Sequence, residues 1–176
     1  MTGAGRADRA EEWIRALGLE PHPEGGFFRE TYRAKEIVSA SGLPKRYSGG
    51  RPFSTAIYFL LRSGEVSKLH RLKSDEVWHF YDGSALRLHI LTPDGGYSAP
   101  VLGRRARLTS IFQLVVPRGA WFGAEVIGRG SFSLIGCTIA PGFDFADFEL
   151  GERADLLERF PARRRLIERL TSETPG

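Results

Sequence analysis

Residues 64–83, GEVSKLHRLKSDEVWHFYDG, decide the fold. Gly64 and Gly83 bracket two runs of β-forming residues, Val66–Leu72 and Val77–Tyr81, with a turn between them. Side chains on a strand alternate between faces, so His70 and Leu72 share one face of the first run. Glu76, Trp78 and Phe80 share a face of the second, which puts Val77, His79 and Tyr81 on the other. If the runs pair as a hairpin with those faces on one side, His70 and Glu76 lie close together.

The same texture continues outward. Phe27–Tyr32, Phe53–Leu61, Ala85–Leu91, Phe112–Val116, Trp121–Val126 and Phe132–Ile139 are further β-rich runs. Turn signals separate them, among them Asp82-Gly83, Pro93-Asp94-Gly95-Gly96, Pro117-Arg118-Gly119 and Gly128-Arg129-Gly130. About eight short strands with regular turns predict an all-β antiparallel sandwich or barrel. Residues 34–50 read as a long exposed loop. Helices are expected only at the ends. Ala10, Trp13, Ile14 and Leu17 follow helical spacing over about 9–17, with Asp8 and Glu11 resembling a capping box. A helical tail over about 152–171 breaks at Pro161, and its arginines read as a solvated face.

The chain has 176 residues, 41% of them hydrophobic, which suits a single domain over 1–176 with its barrel at about 24–140. Lys and Arg number 25 against 21 Asp and Glu, and a net charge of +4 is too slight to argue for nucleic acid. One Cys excludes an internal disulfide. The first residues show no secretory signal and no run is long enough to span a bilayer, so a cytoplasmic protein without membrane or nucleic-acid partners is expected.

Two motifs add a resemblance. The pattern Gly64, five residues, His70, one residue, Leu72, three residues, Glu76, six residues, Gly83 resembles the first cupin motif, which has a second His where Leu72 stands. Pro117-Arg118-Gly119-Ala120-Trp121-Phe122 resembles part of the second motif, with Phe122 at its His position. HPEGGFFRETYR (22–33), STAIYFLL (54–61), HRLKSDEVWHFYDG (70–83), VVPRGAWFGA (115–124) and CTIAPGFDFADFEL (137–150) together resemble the cupin-5 group, formerly a domain of unknown function. The resemblance implies an RmlC-like cupin jelly-roll β-barrel (a double-stranded β-helix), commonly a homodimer, with a pocket inside.

Metal-dependent cupins hold their ion with three His and one Glu. Here Leu72 and Phe122 replace two of the four, so no metal or other cofactor is expected. A divalent metal held weakly at His70 and Glu76 is the alternative. Without a metal, His70 and Glu76 read as a hydrogen-bonded catalytic pair suited to general acid–base work. Trp78, Trp121, Phe122 and Gln113 are expected to line the pocket. Arg29 and Tyr32 are placed at its rim by analogy with related barrels. His79 and His89 read as structural, Cys137 as a buried thiol, and Glu24-Gly25-Gly26 after His22 as a tight turn folding over the barrel mouth.

The function expected is binding of a small polar molecule inside the barrel, with metal-independent isomerisation or epimerisation of a sugar-like substrate. A metal-dependent oxygenase or isomerase with a reduced ligand set is the alternative. A non-enzymatic ligand-binding or scaffold protein is the second.

Overall fold

The β-rich runs form strands whose ends fall within two residues of the sequence boundaries. The structure, a computed structural model, describes residues 4–104 and 110–172, so the two ends of the expected 1–176 domain lie outside the described residues. The strands are β1 (Glu20–Pro21), β2 (Phe27–Arg33), β3 (Ile37–Val38), β4 (Arg51–Pro52), β5 (Thr55–Arg62), β6 (Val66–Leu72), β7 (Glu76–Gly83) and β8 (Leu86–Leu91). They continue as β9 (Tyr97–Ser98), β10 (Val101–Leu102), β11 (Ser110–Ile111), β12 (Gln113–Val116), β13 (Trp121–Val126), β14 (Phe132–Ile139) and β15 (Phe148–Leu150). One sheet runs β1-β2-β5-β14-β7-β12 and the other β11-β10-β8-β13-β6-β15, with β9 added to β8. They face each other as an open jelly roll, with no ladder joining them among the described residues.

One expectation is corrected by this topology. β6 and β7 are consecutive but do not pair, because the chain crosses from one sheet to the other at residues 73–75. His70 and Glu76 therefore stand on opposite walls and look at each other across the interior. The parity reading survives the change. Trp78 and Phe80 are buried between the sheets, while His79 bonds outward to Thr138 and Gln113.

Phe59, Leu61, Leu88, Ile90, Phe122 and Ile135 fill the space between the sheets. Each such side chain contributes roughly 1.5–3 kcal/mol on leaving water. The helices α1 (Ala4–Leu17), α2 (Arg153–Arg159) and α3 (Arg164–Leu170) cover the outsides. α1 packs Ala10, Trp13 and Ile14 over Leu60 and Leu134 of the first sheet. It begins before Asp8, so Asp8 is inside the helix rather than its cap. α2 and α3 place Leu156, Ile167 and Leu170 over Leu69, Leu91 and Trp121 of the second sheet. No helix of the described residues is long and apolar enough to cross a membrane. The 34–50 loop is less irregular than expected, since β3 pairs with β4. Arg51 donates two hydrogen bonds (2.6 and 2.7 Å) to Asp147 and so fastens this segment near the barrel mouth.

Candidate functional site

The site begins with the turn that joins β1 to β2 at the edge of the first sheet. His22 N–H donates to Gly26 O (3.0 Å) and Gly25 N–H to His22 O (2.9 Å). Gly25 and Gly26 have φ of +109° and +71°, backbone that favours glycine. A Cβ on Gly25 would also collide with the carbonyl oxygen of Val66. That close approach lets the Lys68 N–H donate to Glu24 O (2.8 Å), which docks the turn on β6. His22 and Glu24 are thereby held inside the barrel.

β6 receives them through a bulge. Phe122 of β13 pairs with His70, yet Ala124 pairs with Ser67, so β13 advances two residues where β6 advances three. Residues three apart on a regular strand face opposite ways, but the extra residue turns both Ser67 and His70 inward. Gly123 sits opposite the bulge, where an added Cβ would lie 2.6 Å from the Ser67 carbonyl oxygen.

Glu24 joins the two. Ser67 Oγ donates to Glu24 Oε1 (2.8 Å), and Glu24 Oε2 lies 3.1 Å from His70 Nε2 and 3.5 Å from His22 Nδ1. The other His70 nitrogen, Nδ1, is 2.7 Å from the Lys68 carbonyl oxygen and must donate to it. A neutral His70 thus presents the lone pair of Nε2 to Glu24, and one proton between them completes the contact. Phe122 and Phe148 cover the imidazole at 4.1 and 5.3 Å between centroids.

Burial governs the charge states. It raises the Glu24 carboxyl to about 7, against the opposing pull of His22 and the Ser67 hydroxyl. It lowers His70, which the Glu76 charge and the Lys68 carbonyl partly restore. Glu76, across the cavity, is also raised to about 7, chiefly by burial. The His70 charge opposes that rise, the Glu24 charge adds to it, and hydrogen bonds from Trp78 Nε1 (2.8 Å) and the Cys137 thiol oppose it. His22 is lowered by burial as well. A proton shared by a carboxyl and an imidazole, with that carboxyl near 7, can be given or taken at neutral pH.

The four groups line a cavity of about 250 Å³, which is roughly eight water volumes. Phe28, Phe59, Trp78 and Phe148 supply much of its wall, and the exposed Glu30, Arg33, Asp144 and Phe145 mark its opening. A model of the cupin superfamily family Cupin_5 (DUF985) matches residues 11–151, most of the chain.

The chain belongs to the Cupin_5 family.

Solved structures agree. Protein SO0799 from Shewanella oneidensis is 37% identical over 94% of this chain and 98% of its own, with a TM-score of 0.85. A hypothetical protein from Leishmania major is 36% identical over 93% of this chain and 99% of its own, with a TM-score of 0.84. Oxalate decarboxylase from Bacillus subtilis shares the fold alone, at 15% identity over 89% of this chain and 40% of its own, with a TM-score of 0.53. Comparison with curated proteins finds no match.

The residues of this cupin do not fit the three-His, one-Glu centre of metal-dependent relatives. Leu72 and Phe122, at two of its positions, are buried hydrocarbon. Among the described residues no three His, Cys, Asp or Glu are arranged to hold a metal ion.

Of the residues expected at the site, His70, Glu76 and Trp78 line the cavity, and Phe122 lies behind His70. Three corrections follow. The hydrogen-bonded partner of His70 is Glu24, while Glu76 is bonded to Trp78 and Cys137. Trp121 faces α2 and α3, because neighbours on one strand point to opposite sides and Phe122 takes the inside. Arg29, Tyr32 and Gln113 are outside the cavity. Arg29 donates to Leu17 O, Tyr32 is 55% exposed, and Gln113 bonds His79 on the outer face. His89 is buried between Tyr97 and Glu125, as a structural histidine should be.

Proposed function

We propose that this cupin is a metal-independent proton-transfer enzyme, an isomerase or epimerase, acting on a small molecule in the barrel. The observation that carries the reading is the Glu24–His70 contact. His70 Nδ1 is committed to the Lys68 carbonyl, so the proton beside Nε2 belongs to the pair and stands open to a ligand in the cavity. Abstraction of a proton from a carbon next to a carbonyl, followed by its return, needs one such couple near neutrality. Glu76 on the opposite wall is a second acid placed to protonate or hydrogen-bond the developing oxyanion. The surrounding phenylalanines keep water from competing. The cavity suits a compound the size of a single sugar or a short keto compound.

The test is deuterium wash-in. Pools of small metabolites are incubated with the protein in D2O with a chelator present, then scanned for mass gain. Incorporation that is lost in Glu24→Gln and His70→Ala supports the reading. No incorporation by the folded wild type, or equal incorporation by Glu24→Gln, overturns it.

Association of two copies in the cytoplasm goes with this reading. Phe112 and Val115 stand exposed at the β12 edge of the first sheet and Tyr32 on β2 toward its other edge, apolar side chains suited to contact with a second copy. Light scattering near twice 19.6 kDa supports a homodimer, and a value near 19.6 kDa counts against it.

A further inference from the structure

The cavity carries an electrical sign that narrows what can enter it. Its lining contains four carboxyl side chains, Glu24, Glu30, Glu76 and Asp144, and one arginine, Arg33. Arg33 is committed through three of its five N–H donors. Its Nε and Nη2 donate to the two Glu30 oxygens (2.9 and 2.7 Å), and its Nη1 donates to Phe143 O (3.1 Å). Among the described residues, neither inner carboxyl has a lysine or arginine paired with it. Glu24 is held by Ser67, His70 and His22, and Glu76 by Trp78 and Cys137, all of them groups without a fixed charge.

An anion entering this space would drive the buried carboxyls toward their protonated forms. Among the described residues it would meet only the rim Arg33, already paired with Glu30, as a fixed cation. An ammonium group would find two carboxyls whose ionised forms it stabilises. Aromatic rings add to this preference, since they attract a desolvated cation through the ring quadrupole. Phe28, Phe59 and Phe148 cluster around His22, with ring centroids 4.6, 6.2 and 5.9 Å away, and Phe143 packs on Phe148. A wall of carboxyls and phenyl rings, with an arginine paired to Glu30 at its opening, favours a positive charge over a negative one.

We infer that the cavity selects a small ammonium-bearing compound over neutral or anionic compounds of the same shape. The inference rests on the proton-transfer reading for the place where the ligand reacts, beside Glu24 and His70. It makes the substrate an amine, such as an amino sugar or an amino ketone. A carboxylic acid or a phosphate ester is excluded from the cavity.

The experiment compares two sets of equal shape. One is benzylamine, benzyl alcohol and benzoate; the other is 2-aminoethanol, ethylene glycol and glycolate. Each is titrated into the full chain with a chelator present, so that no divalent ion stands in for the amine. Binding is followed by amide NMR shifts of cavity residues. In at least one set the amine should bind about ten-fold or more tighter than the alcohol, with the acid giving no saturable shift.

Glu76→Gln keeps an acceptor for the Trp78 indole and should reduce the amine-to-alcohol ratio. Glu30→Gln, at the exposed rim, releases Arg33 and should let the acid bind. Equal binding of amine and alcohol, binding of the acid as tight as the amine, or no saturable shift from either amine overturns the inference. The two readings fail separately. Amine binding without deuterium wash-in sinks catalysis and leaves the selectivity; wash-in confined to neutral or acidic compounds does the reverse.

Discussion

Replacing Gly25 by alanine tests whether the 22–26 turn builds the site. The position has φ of +109°, and a Cβ there collides with the Val66 carbonyl oxygen. A non-glycine residue in such backbone costs roughly 1–3 kcal/mol. The obstructing atom belongs to the main chain of a barrel strand and cannot swing aside. Relief comes by lifting the turn, which breaks the Lys68–Glu24 backbone hydrogen bond, worth about 0.5–1.5 kcal/mol. Gly25→Ala should therefore lose roughly 2–4 kcal/mol of turn docking. Because β5, β6 and β14 do not depend on the turn for their pairing, much of that loss should appear as local opening rather than global unfolding. Two measurements separate these outcomes. Amide exchange at Lys68 should quicken while exchange in β14 stays slow. The His70 ring, which burial holds below its ordinary 6.5, should titrate closer to 6.5 once the turn lifts and water reaches it. A Gly25→Ala protein with wild-type exchange at Lys68 and wild-type His70 titration would refute the argument.

Two further predictions concern buried charge. Glu76 titrates near 7 in the fold against 4.5 ordinarily, so the folded state holds more protons in that window, and stability from this group is lost as pH rises through it. Measured against Glu76→Gln by urea unfolding, the wild type should lose up to about 3 kcal/mol between pH 4.5 and pH 7. His22, lowered, and Glu24, raised, are shifted in both proteins and largely cancel from the difference. His70, which the Glu76 charge partly restores, is lowered further in the variant and adds to the same trend. A difference that stays flat or grows with pH contradicts the assignment. Arg51→Ala leaves Asp147 buried, with Lys73 Nζ at 3.4 Å as its remaining cationic partner. Unfolding should become easier by roughly 3–5 kcal/mol, and a loss under about 1 kcal/mol would show that Lys73 suffices.

The strands were legible because alternation is a local property. Glu76, Trp78 and Phe80 could be assigned to one face from their spacing alone, and so could the outward His79. The same rule, applied to Trp121 and Phe122, would have kept one of them out of the pocket. The partner of His70 was harder to read, since Glu24 lies far upstream on a turn and no periodicity links the two. The bulge was hidden as well. Nothing in Val66–Leu72 signals an extra residue, and Gly123 gains its meaning only when placed opposite Ser67. The Glu24-Gly25-Gly26 turn was the available clue, because paired glycines after an acidic residue mark a backbone pressed against something. Which strand it presses is set by the crossing between sheets.

The shared proton sits between two unlike segments, one a strand of the second sheet and the other the β1–β2 turn at the edge of the first. The acid is consequently carried on a turn, while its imidazole partner is carried on a strand. Exchanging Glu24 alone would give the same barrel a different acid or none, whereas His22, packed on Phe28, Phe59 and Phe148, and Gly26, pressed against Phe59, tie the rest of the turn to the interior.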